Sequence, residues 1–226
     1  PDNTIHSVGG EKGKYSTRLK FPQPSPNLNV RWCSSYLKID VCAAAIRNQE
    51  RFNGLRTLVL SGERGEESKQ RAGYAILEPD KSDLRYGKKI VRYVDRYRPI
   101  RDWTERRIWD LLEKYRVKPH PCYFMGFGRC SCKFCIFGNA NQFASAACIS
   151  HQNFSQLVKF EKEFGYTLKR DTDLSTLIKK GVPYRDITPE LARLATSYQY
   201  NSDIFIPYTQ QWELPAGAFK KCGGPM

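Results

Sequence analysis

Hydrophobic positions along this chain recur with two different periods, and the switches between them mark out its elements. In residues 36–48 (YLKIDVCAAAIRN), Leu37, Val41, Ala44 and Ala45 recur on one side of a 3.6-residue turn. That spacing predicts a helix with Asn48 near its end. Residues 55–60 (LRTLVL) are a short run of Leu and β-branched residues that stops at Ser61-Gly62, the pattern of a buried strand opening into a turn. Residues 66–75 return to helical spacing and residues 85–97 to strand. Thr104 is placed to cap a helix over 105–115, with Ile108, Leu111 and Leu112 as its apolar stripe. Further helices are predicted at 141–149, 151–164, 173–180 and 188–197. Residues 117–138 hold Pro, Gly and Cys without any period, and so long a loop in a compact domain is usually functional. Residues 1–30 read as an extended basic arm, and 201–226 as an irregular tail.

The order strand–turn–helix, strand, helix is that of an α/β sheet. A helix precedes the first visible strand, so the opening strands are expected upstream of Pro1. The chain thus divides into the arm (1–30), half of an α/β domain with a cysteine loop (31–138), and a helical appendage with its tail (139–226).

Composition and charge sharpen this picture. The 226 residues are 40% hydrophobic, a globular and not a disordered composition. No apolar run approaches the roughly 18 residues of a membrane span, and no signal peptide opens the chain. Lys plus Arg is 37 against 23 Asp plus Glu, a net charge of +14. Such an excess favours a polyanionic partner or a phosphorylated ligand. It is concentrated in Arg85, Lys88, Lys89, Arg92, Arg96, Arg98 and Arg101, interleaved with Tyr86, Tyr93 and Tyr97. In a strand Arg92, Arg96 and Arg98 share one face. That face suits a DNA, RNA or phosphate groove, or equally an edge strand guarded by charge.

Three constellations carry candidate chemistry. The first runs from Ser61 to Arg71, where a buried strand opens a helix. Ligands of open α/β sheets sit beyond the carboxyl ends of strands, and free N–H groups at a helix start favour anions. Gly62 and Gly65 permit close backbone approach, and Arg64 and Arg71 suit a bidentate phosphate or sulfate clamp. An ordinary charged turn is the plainer reading. The second is Cys122-x7-Cys130-x-Cys132-x2-Cys135, in HPCYFMGFGRCSCKFC. Clustered cysteines without a secretion signal point to metal or redox chemistry in a reducing cytoplasm. Zinc and an iron–sulfur cluster both fit the spacing, with buried thiols or a disulfide as the plain alternative. His120 reads as a loop-packing residue beside these cysteines, or a further ligand. The third is Arg31-Trp32-Cys33 through Lys38, at the start of the first helix. There Cys33 is either an activated thiol or a packed one, and Lys38 can reach a phosphate. Cys222, on the basic tail, reads as an uninvolved thiol or a redox nucleophile.

Taken together, these residues resemble the phosphoadenosine phosphosulfate (PAPS) reductase-like family of the adenine nucleotide α-hydrolase superfamily. Its R-W-C-x3-L-K motif is matched by Arg31, Trp32, Cys33, Leu37 and Lys38. Its S-G-x-R-x3-S-x2-R motif is matched by Ser61, Gly62, Arg64, Ser68 and Arg71, and its P-[IL]-x2-W-T-x4-W motif by Pro99, Ile100, Trp103, Thr104 and Trp109. The loop Gly128–Cys135 matches the family's cysteine loop, with Ser131 in place of its Gly. The family's S-G-G-x-D-S pyrophosphate loop is not in this chain and is expected on an upstream segment. The resemblance implies a Rossmann-like parallel sheet. It implies an adenine nucleotide, ATP or an adenylyl sulfate with magnesium, bound by Gly62, Arg64, Ser68, Arg71 and Trp103, with Arg64, Arg71 and Lys38 catalytic. It implies a four-iron cluster on Cys132 and Cys135, with Cys122 and Cys33 as the next ligands, Cys130 as substitute and zinc as competitor. The activity implied is that of an ATP pyrophosphatase in DNA phosphorothioation, served by a cysteine desulfurase or another sulfur donor. The alternatives are a sulfonucleotide reductase making sulfite and a non-catalytic binding module.

Overall fold

In the computed structural model, which describes residues 19–199 and 201–220, the run LRTLVL forms strand β1 (Arg56–Leu60). The chain divides into two units, one of Pro24–Asp102 and one of Leu19–Gln23 with residues 103–220. The first unit holds a three-stranded sheet in the order β1-β3-β2. Strand β3 (Tyr93–Tyr97) lies parallel to β1, with Arg56 opposite Tyr93 and Leu60 opposite Tyr97. Strand β2 (Leu77–Pro79), unmarked by any periodicity, is antiparallel to β3. Its Pro79 is tolerated because β2 is an edge. The basic segment is therefore the central strand, not a charge-guarded edge. It is also shorter than 85–97, because a turn closed by the Leu84–Arg92 bridge takes up its first residues.

The first helix runs as α1 (Trp32–Ser34), a π-turn (Ser35–Ile39) and α2 (Asp40–Arg47). Its buried positions are Ala43 and Ile46, while Leu37 and Val41 of the expected stripe are exposed. Both stripes are apolar along the sequence, and the one continued by Ile46 is the one that packs. The helix expected at 66–75 is broken in two. A 3-10 turn (Gly65–Glu67) leads to α3 (Lys69–Ala72), because Ser68 is extended and caps α3 through its side chain.

The second unit is helical. Helix α4 (Glu105–Lys114) starts where Thr104 Oγ1 accepts the Arg107 N–H at 3.3 Å, and it buries Trp109. A short α5 (Pro121–Phe124) interrupts the cysteine loop. Helix α6 (Ala140–Ile149) opens on a capping box between Asn139 and Gln142 and buries Gln142 through Ala147. Helix α7 (His151–Phe164) ends at Gly165, whose φ of 66° is the left-handed conformation a helix C-terminus favours in Gly. Asp173 caps α8 (Leu174–Lys179) and Thr188 caps α9 (Pro189–Thr196). The core is Met125, Phe143 and Leu174, with Phe134 packed at 5.9 Å on both Phe143 and Phe154. The cysteine loop is thereby anchored in the core through Phe134. The tail is irregular in backbone yet held down. The Arg116 guanidinium donates to the carbonyls of Ile206, Pro207 and Gln210, and Trp212 Nε1 to Val117 O at 2.9 Å. No helix of the described residues is long and apolar enough to cross a membrane.

Candidate functional site

Two candidate sites emerge, one in each unit. In the first unit the parallel pairing of β1 and β3 brings two carboxyl ends to the same edge. Ser61 N–H donates to Tyr97 O at 3.0 Å, and Gly65 N–H to Arg101 O at 2.7 Å. The turn 61–65 thus runs beside residues 98–101, where open α/β sheets bind ligands. A Cβ on Gly65 would stand 3.2 Å from Ala72 Cα and 3.4 Å from Arg101 O, so a side chain here would push the neighbouring backbone away by a few tenths of an ångström. Arg64 pairs with Glu66 at 2.6 Å and with Glu67 at 3.6 Å, and Arg71 pairs with Glu67 as well. The two arginines expected to clamp an anion therefore converge on one carboxylate. Ser68 Oγ is the α3 cap, accepting the Arg71 N–H at 3.3 Å, and Gly62 is exposed.

Lys38 is exposed in the π-turn, and Cys33 is half-buried in α1. Asp40, one turn on, is bonded by Lys81 at 2.5 Å and by Ser35 Oγ at 2.6 Å, and these two bonds hold its carboxyl below the usual range. Trp103 belongs to the second unit, where the Arg107 guanidinium stacks 4.0 Å from its ring centre.

The arginines expected to form a polyanion-binding face are engaged inside the first unit. Arg92 and Arg98 are only 5% and 4% exposed. Arg92 donates to Ser82 O at 3.2 Å and Asn53 Oδ1 at 2.9 Å. Arg98 donates to Glu63 at 2.5 Å, Glu78 at 2.6 Å and Ala75 O at 2.7 Å. Arg96 pairs with buried Asp80 at 2.5 Å. Burial pushes the Asp80 carboxyl up, but bonds from Ser82 and Arg96 outweigh it and leave it lowered. The same network sets Asp83, whose carboxyl is brought down to about 2, chiefly by Arg85, with the Val94 N–H assisting. Periodicity alone could not show that β3 lies in the middle of a sheet, with Arg92 and Arg98 buried at its two ends.

In the second unit the loop between α4 and α6 gathers His120, Cys122 and Cys130, whose ligand atoms all lie within 4.8 Å of one another. Local structure explains the grouping. Pro121 sits at the first turn of α5, and His120 is its N-cap, with Nδ1 accepting the Cys122 N–H at 3.2 Å. Trp109 packs edge-on against Tyr123 at 5.3 Å, and the Tyr123 hydroxyl accepts the Cys130 N–H at 3.2 Å. Burial, then the nearby Cys122 and Cys130, pushes the Tyr123 hydroxyl up. Cys132 and Cys135 are not in this trio. Cys135 Sγ accepts from Arg129 at 2.9 Å, and Lys169 Nζ donates to Ile136 O at 2.6 Å and to Gly138 O. Burial lowers the Lys169 ammonium, and Cys135 partly offsets this. A four-iron cluster takes four thiolates on separate irons, whereas the trio offers two sulfurs and an imidazole. His120 thus both packs the loop, as the cap of α5, and stands with the two cysteines as a candidate ligand. The His-Pro step was the sequence signal for the cap.

Residues 11–137 match the phosphoadenosine phosphosulfate reductase domain family. The chain belongs to that family. A relative of this PAPS reductase domain is the uncharacterized 37.8 kDa protein in the gpa 5' region of Escherichia phage 186, 26% identical over 141 residues. The alignment takes in 61% of this chain and 39% of the phage protein, so the chain spans well under half of that relative. No solved structure matches it.

Proposed function

We propose that this PAPS reductase domain binds an adenine nucleotide with its anionic end at the turn 61–68, and that it serves cleavage of ATP between the α and β phosphates. The supporting observation is the convergence of Arg64 and Arg71 on Glu67 beyond the carboxyl ends of two parallel strands. A carboxylate presents to a guanidinium fork the same paired oxygens as a phosphate or sulfate. Glu67 thus occupies the place an incoming anion would take, and it keeps the two arginines aligned until then. Magnesium would accompany the ATP. The net charge of +14 supports nucleic acid as acceptor of the activated group for sulfur insertion, with a sulfur donor such as a cysteine desulfurase. That reading draws on overall charge and not on Arg92 and Arg98, which are buried.

Calorimetric titration of the protein with ATP and with adenylyl sulfate tests the site. Arg64→Ala should weaken nucleotide binding by about 10- to 150-fold, the range of a charged hydrogen bond of roughly 1.5–3 kcal/mol. Unchanged affinity would remove Arg64 from the site. Product analysis then separates the chemistries: AMP and pyrophosphate from ATP support the pyrophosphatase, and sulfite from adenylyl sulfate assigns the reductase instead.

A further inference from the structure

We infer that His120, Cys122 and Cys130 form a binding site for one zinc-class ion, with three protein ligands and an exchangeable fourth position. This goes beyond the nucleotide reading and does not depend on it. The donor set is that of a borderline-soft divalent cation, for which thiolate and imidazole are the preferred partners. The spacing is decisive. Tetrahedral bonds of about 2.0–2.3 Å place ligand atoms about 3.3–3.8 Å apart, whereas the thiolates of a four-iron cluster are bonded to different irons and stand further apart. Ligand atoms already within 4.8 Å of one another need close by only about an ångström to hold one ion.

The remaining loop cysteines lie outside the trio. Cys135 Sγ accepts from the Arg129 guanidinium at 2.9 Å, a hydrogen-bond partner outside the trio. Cys132 is exposed and not part of the trio. His120 and Cys130 are exposed too, which leaves room for solvent or a small anion as fourth ligand. The fold holds the ligands in place: the Tyr123 hydroxyl accepts the Cys130 N–H, and Trp109 packs edge-on against Tyr123.

The site also carries a built-in exchange. A neutral imidazole has one nitrogen lone pair, and here it accepts the Cys122 N–H. Whichever ring nitrogen binds the ion, coordination uses up that lone pair. Ion binding therefore trades the α5 cap for a metal bond and releases two thiol protons, one each from Cys122 and Cys130.

The test is titration of the reduced, demetallated full chain with Co2+ as a spectroscopic probe, followed by displacement with Zn2+. One ion per chain is expected, with tetrahedral ligand-field bands and thiolate charge transfer. Loss of outer-shell partners alone costs 10- to 100-fold in affinity, so loss of a ligand should cost at least about 100-fold. His120→Asn, Cys122→Ser and Cys130→Ser should each show that loss, while Cys132→Ser and Cys135→Ser bind as the parent does. His120→Asn retains a good helix cap, so its defect reports the ligand and not the fold. His120→Cys should restore binding with stronger thiolate charge transfer, which a merely structural histidine would not do. Loss of the ion in Cys132→Ser or Cys135→Ser, or its retention in His120→Asn, overturns the assignment. So does anaerobically purified chain that carries several irons with labile sulfide.

Discussion

Arg98 is the residue whose surroundings differ most from what its charge suggests. It is buried and bonded to two carboxylates and a backbone carbonyl. Its carboxylate partners Glu63 and Glu78 are themselves part-exposed and regain water when the guanidinium is removed, so the loss falls mainly on the buried side of the cluster, at about 1–3 kcal/mol. Arg98→Ala should therefore lower the denaturation midpoint of the first unit. Nucleic-acid affinity of any variant that still folds should keep its salt slope, since the guanidinium contributes no phosphate contact. A drop in that slope by about one unit would put Arg98 on the surface after all. Glu161 makes the complementary case in the second unit. Its two oxygens accept the N–H groups of Leu168 and Leu174 at 2.8 and 2.9 Å, and it is buried. Glu161→Ala would strand two buried donors at about 1–3 kcal/mol each, whereas Glu161→Gln keeps one acceptor and should lose less. Equal losses in urea titrations would show that packing, not the two bonds, sets the value of this side chain.

At the scale of elements, caps decide where helices begin. Asn139 closes a reciprocal box with Gln142 at the head of α6, the most deeply buried helix. Asn139→Ala should cost about 1 kcal/mol, with loss of amide-exchange protection confined to the first turn of α6; protection unchanged there would mean the box adds nothing. Of the caps, Thr104 was read from the sequence; Asp173 and Thr188 stand in the same relation to the apolar spacing that follows them, and the structure shows them capping α8 and α9. Helices α4 and α6 to α9 lie close to their expected limits, because their apolar spacing is sustained over the whole element. Strand β2 was not legible, since three residues carry no period and the strand is defined by its partner. The buried face of α2 was missed because two apolar stripes compete along it. The π-turn that precedes it, with Ser35 bonded to Asp40 at 2.6 Å, has no sequence signal of its own. Of the candidate sites, Arg64 and Arg71 were placed together by motif and meet at Glu67. The cysteine loop was recognised as a whole, but spacing could not tell which thiols a cap on α5 would gather around His120.

The molecule as a whole combines two unlike interiors. In the first unit the buried groups include Asp80, Ser82, Arg92 and Arg98 beside Ala43, Ile46 and Val94. In the second they are mainly Met125, Ile136, Phe143, Leu168, Leu174 and the alanines of α6. Acid should therefore act on the first unit. Asp83 is lowered from its ordinary 3.8 to about 2, and Asp80 and Asp40 are lowered too. A depressed carboxyl stabilises the fold fully above its unfolded value and loses that contribution as pH falls towards the folded one. Melting of the first unit should thus grow easier between about pH 4 and 2, and Asp83→Asn should flatten that slope; an unchanged slope would assign the acid sensitivity to other carboxyls. The same contrast reaches into temperature. Exposing apolar surface raises heat capacity and exposing polar surface lowers it. An ionic interior should therefore unfold with a small heat-capacity increment and a broad, flat stability curve. The aromatic and aliphatic interior around Phe143 should unfold with a large increment and a steep one. Cooling, which weakens hydrophobic burial, would then loosen the helices that carry the cysteine loop before it disturbs the turn where Arg64 and Arg71 meet.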